Sequence, residues 1–375
     1  MDEIDITDKI KAVCALMPDS PSTLLNHDSA SPPSLWRELA QQGLLGIGLP
    51  ARCGGQGGDW VSVAQAAEWL ARYSADVALP MLWLMQMLIA RQYLAGFGNT
   101  PLCDDYLADI VSGKKRLALA VSEPGVGAHP KRLSTRAMND SGSYILNGQK
   151  AWVTNATVAD FFVVVAITGE TNQRRQFAAF LVDKDNPGLA VGAASQPLLG
   201  SLGHAGLTLS DCRVPADAML AAGDDAWDRM IKPFRRLEDV LFLVISVGMI
   251  RRGLDQLLTA WRGAEQTPSE PLLLQLGQMY AQTDILSTDL CRAMECAEQP
   301  TQAKEFDLIM LARRGQFQAL LSAFEHLAAA MGQKTGEASA LLNRCRQMQM
   351  FYLRRNDDLA KRIGAELFER GLLGD

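Results

Sequence analysis

Val121-Ser-Glu-Pro-Gly-Val-Gly127, then Leu146-Asn-Gly-Gln-Lys-Ala-Trp-Val-Thr-Asn155, then the apolar run Phe161–Ala166: these three pieces, in the stretch that begins at Leu117, read as β-strands joined by tight turns. Gly125 and Gly127 have no Cβ, so backbone there can approach a ligand closely. Trp152 and Thr154 stand two apart, and on a strand they would face the same side. An indole plane and a hydroxyl on one face suit a conjugated ring system with a polar edge.

Outward from this stretch, the hydrophobic period stays near two between Arg116 and Pro215. Candidate strands are Leu117–Val121, Tyr144–Leu146, Gln149–Val153, Phe161–Ile167, Phe177–Val182, Leu189–Val191 and Leu207–Cys212. Asn147-Gly148 predicts a type I′ hairpin between two of them, because both residues tolerate positive φ. Asn139-Asp-Ser-Gly142 predicts a second turn of similar chemistry. Short strands with turns and no helices between them indicate an antiparallel β-domain. No G-x-G-x-x-G opens a helix, which argues against a Rossmann sheet.

On either side the period is helical. Upstream, Leu35, Leu39 and Leu44, then Val63 to Leu70, then Met81 to Leu94 mark helices, with Gly54-Gly-Gln-Gly-Gly58 separating the first two; Ser20 to Pro33 reads as an irregular lead-in. Downstream, Val240–Leu254 is apolar nearly all round, as a buried helix is. Leu272, Leu276, Met279, Thr283, Leu286 and Leu290 form one apolar face; Phe306, Met310, Phe317, Leu320, Phe324, Leu327 and Met331 form another, and Leu359, Ile363 and Leu367 a third. The expected fold is α+β: an N-terminal helical domain (1–115), a middle antiparallel β-domain (116–225) and a C-terminal four-helix bundle (226–375).

Bulk properties exclude several classes. Hydrophobic content of 48% and a net charge of −6 over 375 residues are those of an ordinary globular protein, and favour neither nucleic acid nor an anionic membrane as partner. Seven scattered cysteines without paired spacing argue for reduced thiols in a cytoplasm, and four dispersed histidines against a metal centre. The acidic start Met1-Asp-Glu-Ile-Asp lacks the order of a signal peptide, and Val240–Ile250 is too short to span a bilayer.

Order and motifs together resemble the acyl-CoA dehydrogenase family. Leu35-Trp-Arg-Glu-Leu, Gly43-Leu-Leu-Gly-Ile-Gly-Leu-Pro50 and Gly54-Gly are similar to its N-terminal signature. Ala120 to Gly127 resembles its flavin-binding strand and turn, and Asn147 to Asn155 the segment that lays an aromatic ring and a hydroxyl against the isoalloxazine. Leu199-Gly, Gly203, Leu209 and Val214-Pro215 resemble the end of the β-domain. The resemblance implies FAD, bound by Leu119, Ala120, Val121, Ser122 and Gly127 on one side and by Trp152, Val153 and Thr154 near the reactive N5. It implies α,β-dehydrogenation of an acyl-CoA or carrier-bound acyl thioester, with Ala128 and His129 towards the substrate. An electron-transfer flavoprotein or similar carrier would accept the electrons, and the chain would form a homodimer or homotetramer. A carboxylate must remove the α-proton. Glu238, expected at the start of the buried helix, matches one branch of the family, and Glu337 after Met331-Gly-Gln-Lys-Thr-Gly matches the other.

The C-terminal third departs from the pattern. The family's Arg-x-x-Phe-Gly reads here as Ala264-Glu-Gln-Thr-Pro268, its Gly-Gly-x-Gly as Met331-Gly-Gln-Lys334, and its Gly-Thr-x-x-Ile as Arg354-Arg-Asn-Asp-Asp358. The Gly-Ser-Asp after the flavin turn is Gly127-Ala-His129. Contacts of this kind to a charged cofactor contribute about 1.5–3 kcal/mol each. A second expectation therefore stands beside the first: a catalytically degenerate member acting as a partner or scaffold subunit without flavin. Arg354, Arg355, Lys361 and Arg362 read as a solvated basic face.

Overall fold

The computed structural model describes residues 3–17, 33–74, 77–98, 100–193, 203–223, 226–263, 269–330 and a few positions between 343 and 365. Its internal contacts group the chain into two compact units, Met1–Ala66 with Ser74–Arg236, and Ala67–Tyr73 with Leu237–Asp375.

The helices before the sheet are α1 (Glu3–Cys14), α2 (Pro33–Gln41), α3 (Trp60–Tyr73), α4 (Ala78–Ile89) and α5 (Pro101–Val111). All residues of α4 are buried. Its run Met81-Leu-Trp-Leu-Met has no polar face to offer water, so it is stable only when surrounded. Trp83 meets the polar demand of its ring by donating to the Leu44 carbonyl at 3.0 Å. A π-turn, Ala90–Ala95, follows α4. Thr100 then caps α5 by accepting from the Cys103 amide, with Pro101 at the first helical position, where no amide hydrogen is needed.

The sheet of the same unit has eight strands: β1 (Leu117–Ala120), β2 (Arg136–Asp140), β3 (Ser143–Val153), β4 (Phe161–Thr171), β5 (Arg174–Asp183), β6 (Leu189–Val191), β7 (Ala205–Pro215) and β8 (Met219–Gly223). The order is β6-β7-β3-β2-β4-β5-β8, with β1 joined to β4. Every residue of β4 from Phe161 to Ile167 is buried, as a central strand covered on both faces requires. Pairing is antiparallel except on β4, where β1 runs parallel from Leu117↔Phe161 to Ala120↔Val164 and β2 meets it at Arg136↔Ile167. Strand α4 packs behind is β1, the strand that leads into the glycine turn.

Two readings of the strands change. Tyr144–Leu146 and Gln149–Val153 are one strand, β3, and no hairpin forms at Asn147-Gly148. Asn147 instead exchanges hydrogen bonds with Asp211 of β7, accepting from its amide at 2.8 Å and donating to its carboxylate at 3.1 Å. The pairing passes from Leu146↔Cys212 to Gly148↔Leu209, so β7 carries an extra residue there, with Asp211 at φ 48°. Asn-Gly here accommodates a bulge, not a reversal. The reversal lies in the other turn that was expected, at Ser141 (φ 48°) and Gly142 (φ 91°), between β2 and β3. The strands β2 and β8 fall outside the candidate strands.

The second unit holds the long part of α6 (Ala226–Gly263), with α7 (Glu270–Glu298) and α8 (Ala303–Ala330). The predicted faces are buried: Leu272, Met279, Thr283, Leu286 and Leu290 on α7, and Phe306, Met310, Phe317, Leu320, Phe324 and Leu327 on α8. The end of α3 belongs here too. Gly248 lets α6 approach it, since a Cβ would lie 2.3 Å from the Glu68 carbonyl oxygen. Arg251 bridges Glu68 at 2.6 Å and Asp284 at 3.0 Å. No described helix is long and apolar enough to cross a membrane.

Glu238 does not start a helix. α6 begins at Ala226, because Ala226 and Met230 extend the buried stripe of Phe234 and Leu237 upstream of Pro233.

Candidate functional site

Beyond β1 the chain continues beside the end of β3. The Ser122 carbonyl accepts from the Ala151 amide at 2.8 Å, and the Val121 carbonyl from the Lys150 ammonium at 3.1 Å. The chain then folds back on itself, with Glu123 and Gly127 exchanging backbone hydrogen bonds of 3.0 Å. Gly125 and Gly127 have φ of 73° and 61°, and a Cβ built on either would meet nothing within 4 Å. Backbone geometry demands glycine here, and the space beside the turn is open.

Glu123 anchors the turn from beneath. Its carboxylate accepts from the Ser134 amide and hydroxyl, both at 2.7 Å, from the Thr135 amide at 2.9 Å, and from Lys150 at 3.1 Å. Both side chains are buried, at 3% and 0% exposure. Burial works against both charges. On Glu123 the hydrogen bonds from Thr135 and Ser134 and the Lys150 charge outweigh burial and hold the carboxyl down, to about 2. On Lys150 burial outweighs the pull of Glu123 and draws the ammonium down, to about 8. A buried pair of this kind contributes specificity of register more than net stability. Here it fixes β3 against the turn.

Trp152 and Thr154 do not share a strand face. Between Lys150↔Leu207 and Val153↔Ala205 there is an extra residue on β3, and Trp152 takes a left-handed backbone, φ 59°. The bulge breaks the two-residue alternation and turns the indole outward, to 66% exposure. Thr154 lies just past the strand, half-buried, with its hydroxyl 3.0 Å from Nε2 of His204. Burial pushes the His204 imidazole down, so it is neutral at pH 7. Asn155, also left-handed at φ 67°, is buried, and its carbonyl accepts from the Val158 and Ala159 amides.

The structure thus brings Val121, Ser122, Gly127, Trp152, Val153 and Thr154 into one neighbourhood. Leu119 and Ala120 lie in β1 opposite Val163 and Val164. Ala128 and His129 follow the turn; His129 is exposed and its carbonyl accepts from the Arg132 and Leu133 amides. Glu238 is half-buried on α6 in the second unit. Glu337 and the departing segments 264–268, 331–334 and 354–356 lie outside the described residues. Sequence reasoning missed Glu123, Lys150 and His204. For Lys150, the signal available was a charged residue inside a run bounded by buried alternation. An exposed, backbone-fixed indole beside an open glycine turn and half-buried carbonyls fits a flat polycyclic ligand with a polar edge.

Residues 18–114 match the family model "Acyl-CoA dehydrogenase, N-terminal domain" and residues 118–212 match "Acyl-CoA dehydrogenase, middle domain". The chain is similar to benzylmalonyl-CoA dehydrogenase of Aromatoleum aromaticum, 34% identical over 45% of this chain and 43% of that protein. It is similar to the caffeyl-CoA reductase-Etf complex subunit CarC of Acetobacterium woodii, 31% identical over 60% of this chain and 59% of that one. The chain therefore spans less than two thirds of the length of either relative. The fold is that of butyryl-CoA dehydrogenase from Megasphaera elsdenii, with a TM-score of 0.78 at 19% identity over 98% of this chain and 100% of the other.

Proposed function

Because this chain belongs to the acyl-CoA dehydrogenase family, we propose that it is an FAD-dependent oxidoreductase that introduces an α,β double bond into an acyl-CoA or carrier-bound acyl thioester. The observation that carries this reading is Trp152: an indole at 66% exposure on a strained left-handed backbone, beside a glycine turn open to solvent. Exposing a large apolar ring and holding it there both cost stability, which a ring-shaped partner would offset.

FAD, when bound, supplies the two-electron acceptor. Leu119, Ala120, Val121, Ser122 and Gly127 would hold it through backbone groups and the Ser122 hydroxyl. Trp152 and Val153 would cover it and exclude water, and the Thr154 hydroxyl would bond to its polar edge. Glu238 would take the proton from the carbon next to the thioester carbonyl, with Glu337 as the alternative base; Ala128 and His129 would border the substrate. The bound group would supply the sink for the second hydrogen with its electron pair, so that the thioester would lose two hydrogens in all. An electron-transfer flavoprotein or a similar carrier would reoxidise the protein, which we place in the cytoplasm as a homodimer or homotetramer, with domains at 1–115, 116–225 and 226–375.

A spectrum of the purified protein, before and after soaking in FAD, tests the cofactor; titration with a panel of acyl thioesters tests the reaction. Flavin absorbance that bleaches with a thioester is the expected result. A colourless protein that takes up no FAD would sink this reading and favour the flavin-free partner subunit that the replaced segments at 264–268, 331–334 and 354–358 suggest.

A further inference from the structure

Thr154 has no strand neighbour to fix its side chain. It lies past the bulge that ends β3, in a turn, where a threonine hydroxyl can occupy more than one staggered position. What reaches it comes from the start of β7. His204 Nε2 stands 3.0 Å from the hydroxyl oxygen. The residues on either side of His204 are themselves seated against the same turn. Ala205 pairs with Val153, and the Gly203 carbonyl accepts from the Thr157 amide at 3.4 Å. Gly203, at φ 58°, permits this approach, since a Cβ there would fall 2.5 Å from the Thr157 hydroxyl oxygen. That hydroxyl is itself buried without a hydrogen-bond partner among the described residues. The contact thus comes from a segment packed on both sides, and His204 is poorly free to move away from Thr154.

We propose that His204 is a positioning residue for the ring-binding site: through its Nε2 it fixes the rotamer and proton direction of the Thr154 hydroxyl. This rests on the FAD reading above and names a residue that reading does not use. A neutral imidazole carries one ring proton, on either nitrogen. With that proton on Nε2, His204 donates to the Thr154 oxygen, and the threonine O–H is left pointing outward as a donor. With it on the other nitrogen, Nε2 accepts the threonine proton, and the oxygen presents lone pairs outward. Thr154 can thus serve an acceptor or a donor on its ligand, and His204 sets which. An oxidised flavin presents an unprotonated ring nitrogen, a hydrogen-bond acceptor, so the first arrangement serves it.

The test is FAD affinity, read by quenching of flavin fluorescence on titration, for the wild type and His204→Leu, His204→Gln, Thr154→Val and His204→Leu/Thr154→Val variants. Glutamine can carry an amide nitrogen to about the position of Nε2, so it is the conservative replacement. Loss of one well-placed hydrogen bond corresponds to about tenfold in affinity. His204→Leu is expected to bind about tenfold more weakly, His204→Gln to recover most of that loss, and Thr154→Val to match His204→Leu. The double variant is expected to be no weaker than Thr154→Val, because a residue acting through Thr154 has nothing left to act on. Wild-type affinity in His204→Leu, or losses that add fully in the double variant, would overturn the proposal while leaving the FAD reading in place. A wild-type chain that binds no FAD overturns both. If His204→Leu fails to fold, His204→Gln against Thr154→Val decides: glutamine as weak as valine refutes the proposal, and glutamine near wild type upholds it.

Discussion

Glu123 carries a prediction about acid. Its folded pKa, about 2, is below its ordinary value of 4.5. The stabilisation this represents is fully present above about pH 4.5 and is lost as pH falls through about 2, and at pH 7 the burial of the Lys150 ammonium offsets part of it. Glu123→Gln leaves a buried ammonium without its counter-charge, which costs about 3–5 kcal/mol at pH 7. Urea unfolding is expected to show the variant much weaker than the wild type at pH 7 and by a smaller margin at pH 3, where the unfolded carboxyl has taken up its proton and the folded one has not; an equal deficit at both would remove the ion pair as the cause. Trp152 behaves in the opposite way. Trp152→Gly relieves the left-handed backbone, worth roughly 1–2 kcal/mol, but loosens the unfolded chain by about 0.5–1 kcal/mol. Stability in thermal melts should therefore move by about 1 kcal/mol at most, while FAD affinity falls tenfold or more. The sequence pairs Trp152 and Thr154 on one strand face through a two-residue alternation, and the bulge at Trp152 breaks that alternation. Glu123 and Lys150 were not legible as a pair: they lie 27 residues apart, and only the fold joins them.

Among the elements, β3 separates two uses of glycine. Gly148 sits at φ 151°, and a Cβ there would come 2.5 Å from the Thr135 hydroxyl and 2.7 Å from its Cα, against backbone that cannot yield. Gly142, at φ 91°, faces open space. Gly148→Ala adds overpacking, typically about 1–3 kcal/mol, to the strain of a positive φ, whereas Gly142→Ala bears the strain alone. Chemical denaturation should rank Gly148→Ala as clearly the weaker variant; a reversed order would mean that the hairpin lies at Asn147-Gly148 after all. Asn-Gly misled for a physical reason. Both a tight reversal and a bulge reward a residue free of Cβ, and the side chain that decides between them, Asp211, belongs to a distant strand. The helices were easier to place, because each apolar face on α7 and α8 is written within its own segment. α6 starts well ahead of the apolar run Val240–Leu254, because its first turns carry only a spaced stripe of buried residues, on both sides of Pro233, and not a continuous apolar surface.

For the whole molecule, the α–β–α order was legible, since the hydrophobic period changes at Arg116 and again after Pro215. The sequence leaves the proposed base between Glu238 and Glu337, because a half-buried carboxylate on a long helix has no local pattern that marks it as a base. Glu238→Gln is expected to retain flavin uptake and to slow reduction by a thioester about 10²–10⁴-fold, the usual share of a general base; stopped-flow bleaching of the flavin measures it, and an unchanged rate would transfer the role to Glu337. The outward indole at the β3 bulge has a further consequence. Of seven tryptophans, Trp152 is the exposed one, so it dominates the water-sensitive, long-wavelength part of the protein's ultraviolet emission. A dish of unlabelled protein under an excitation lamp is therefore its own indicator: anything that settles over that corner darkens or blue-shifts the glow, and a screen of unknown compounds needs no dye.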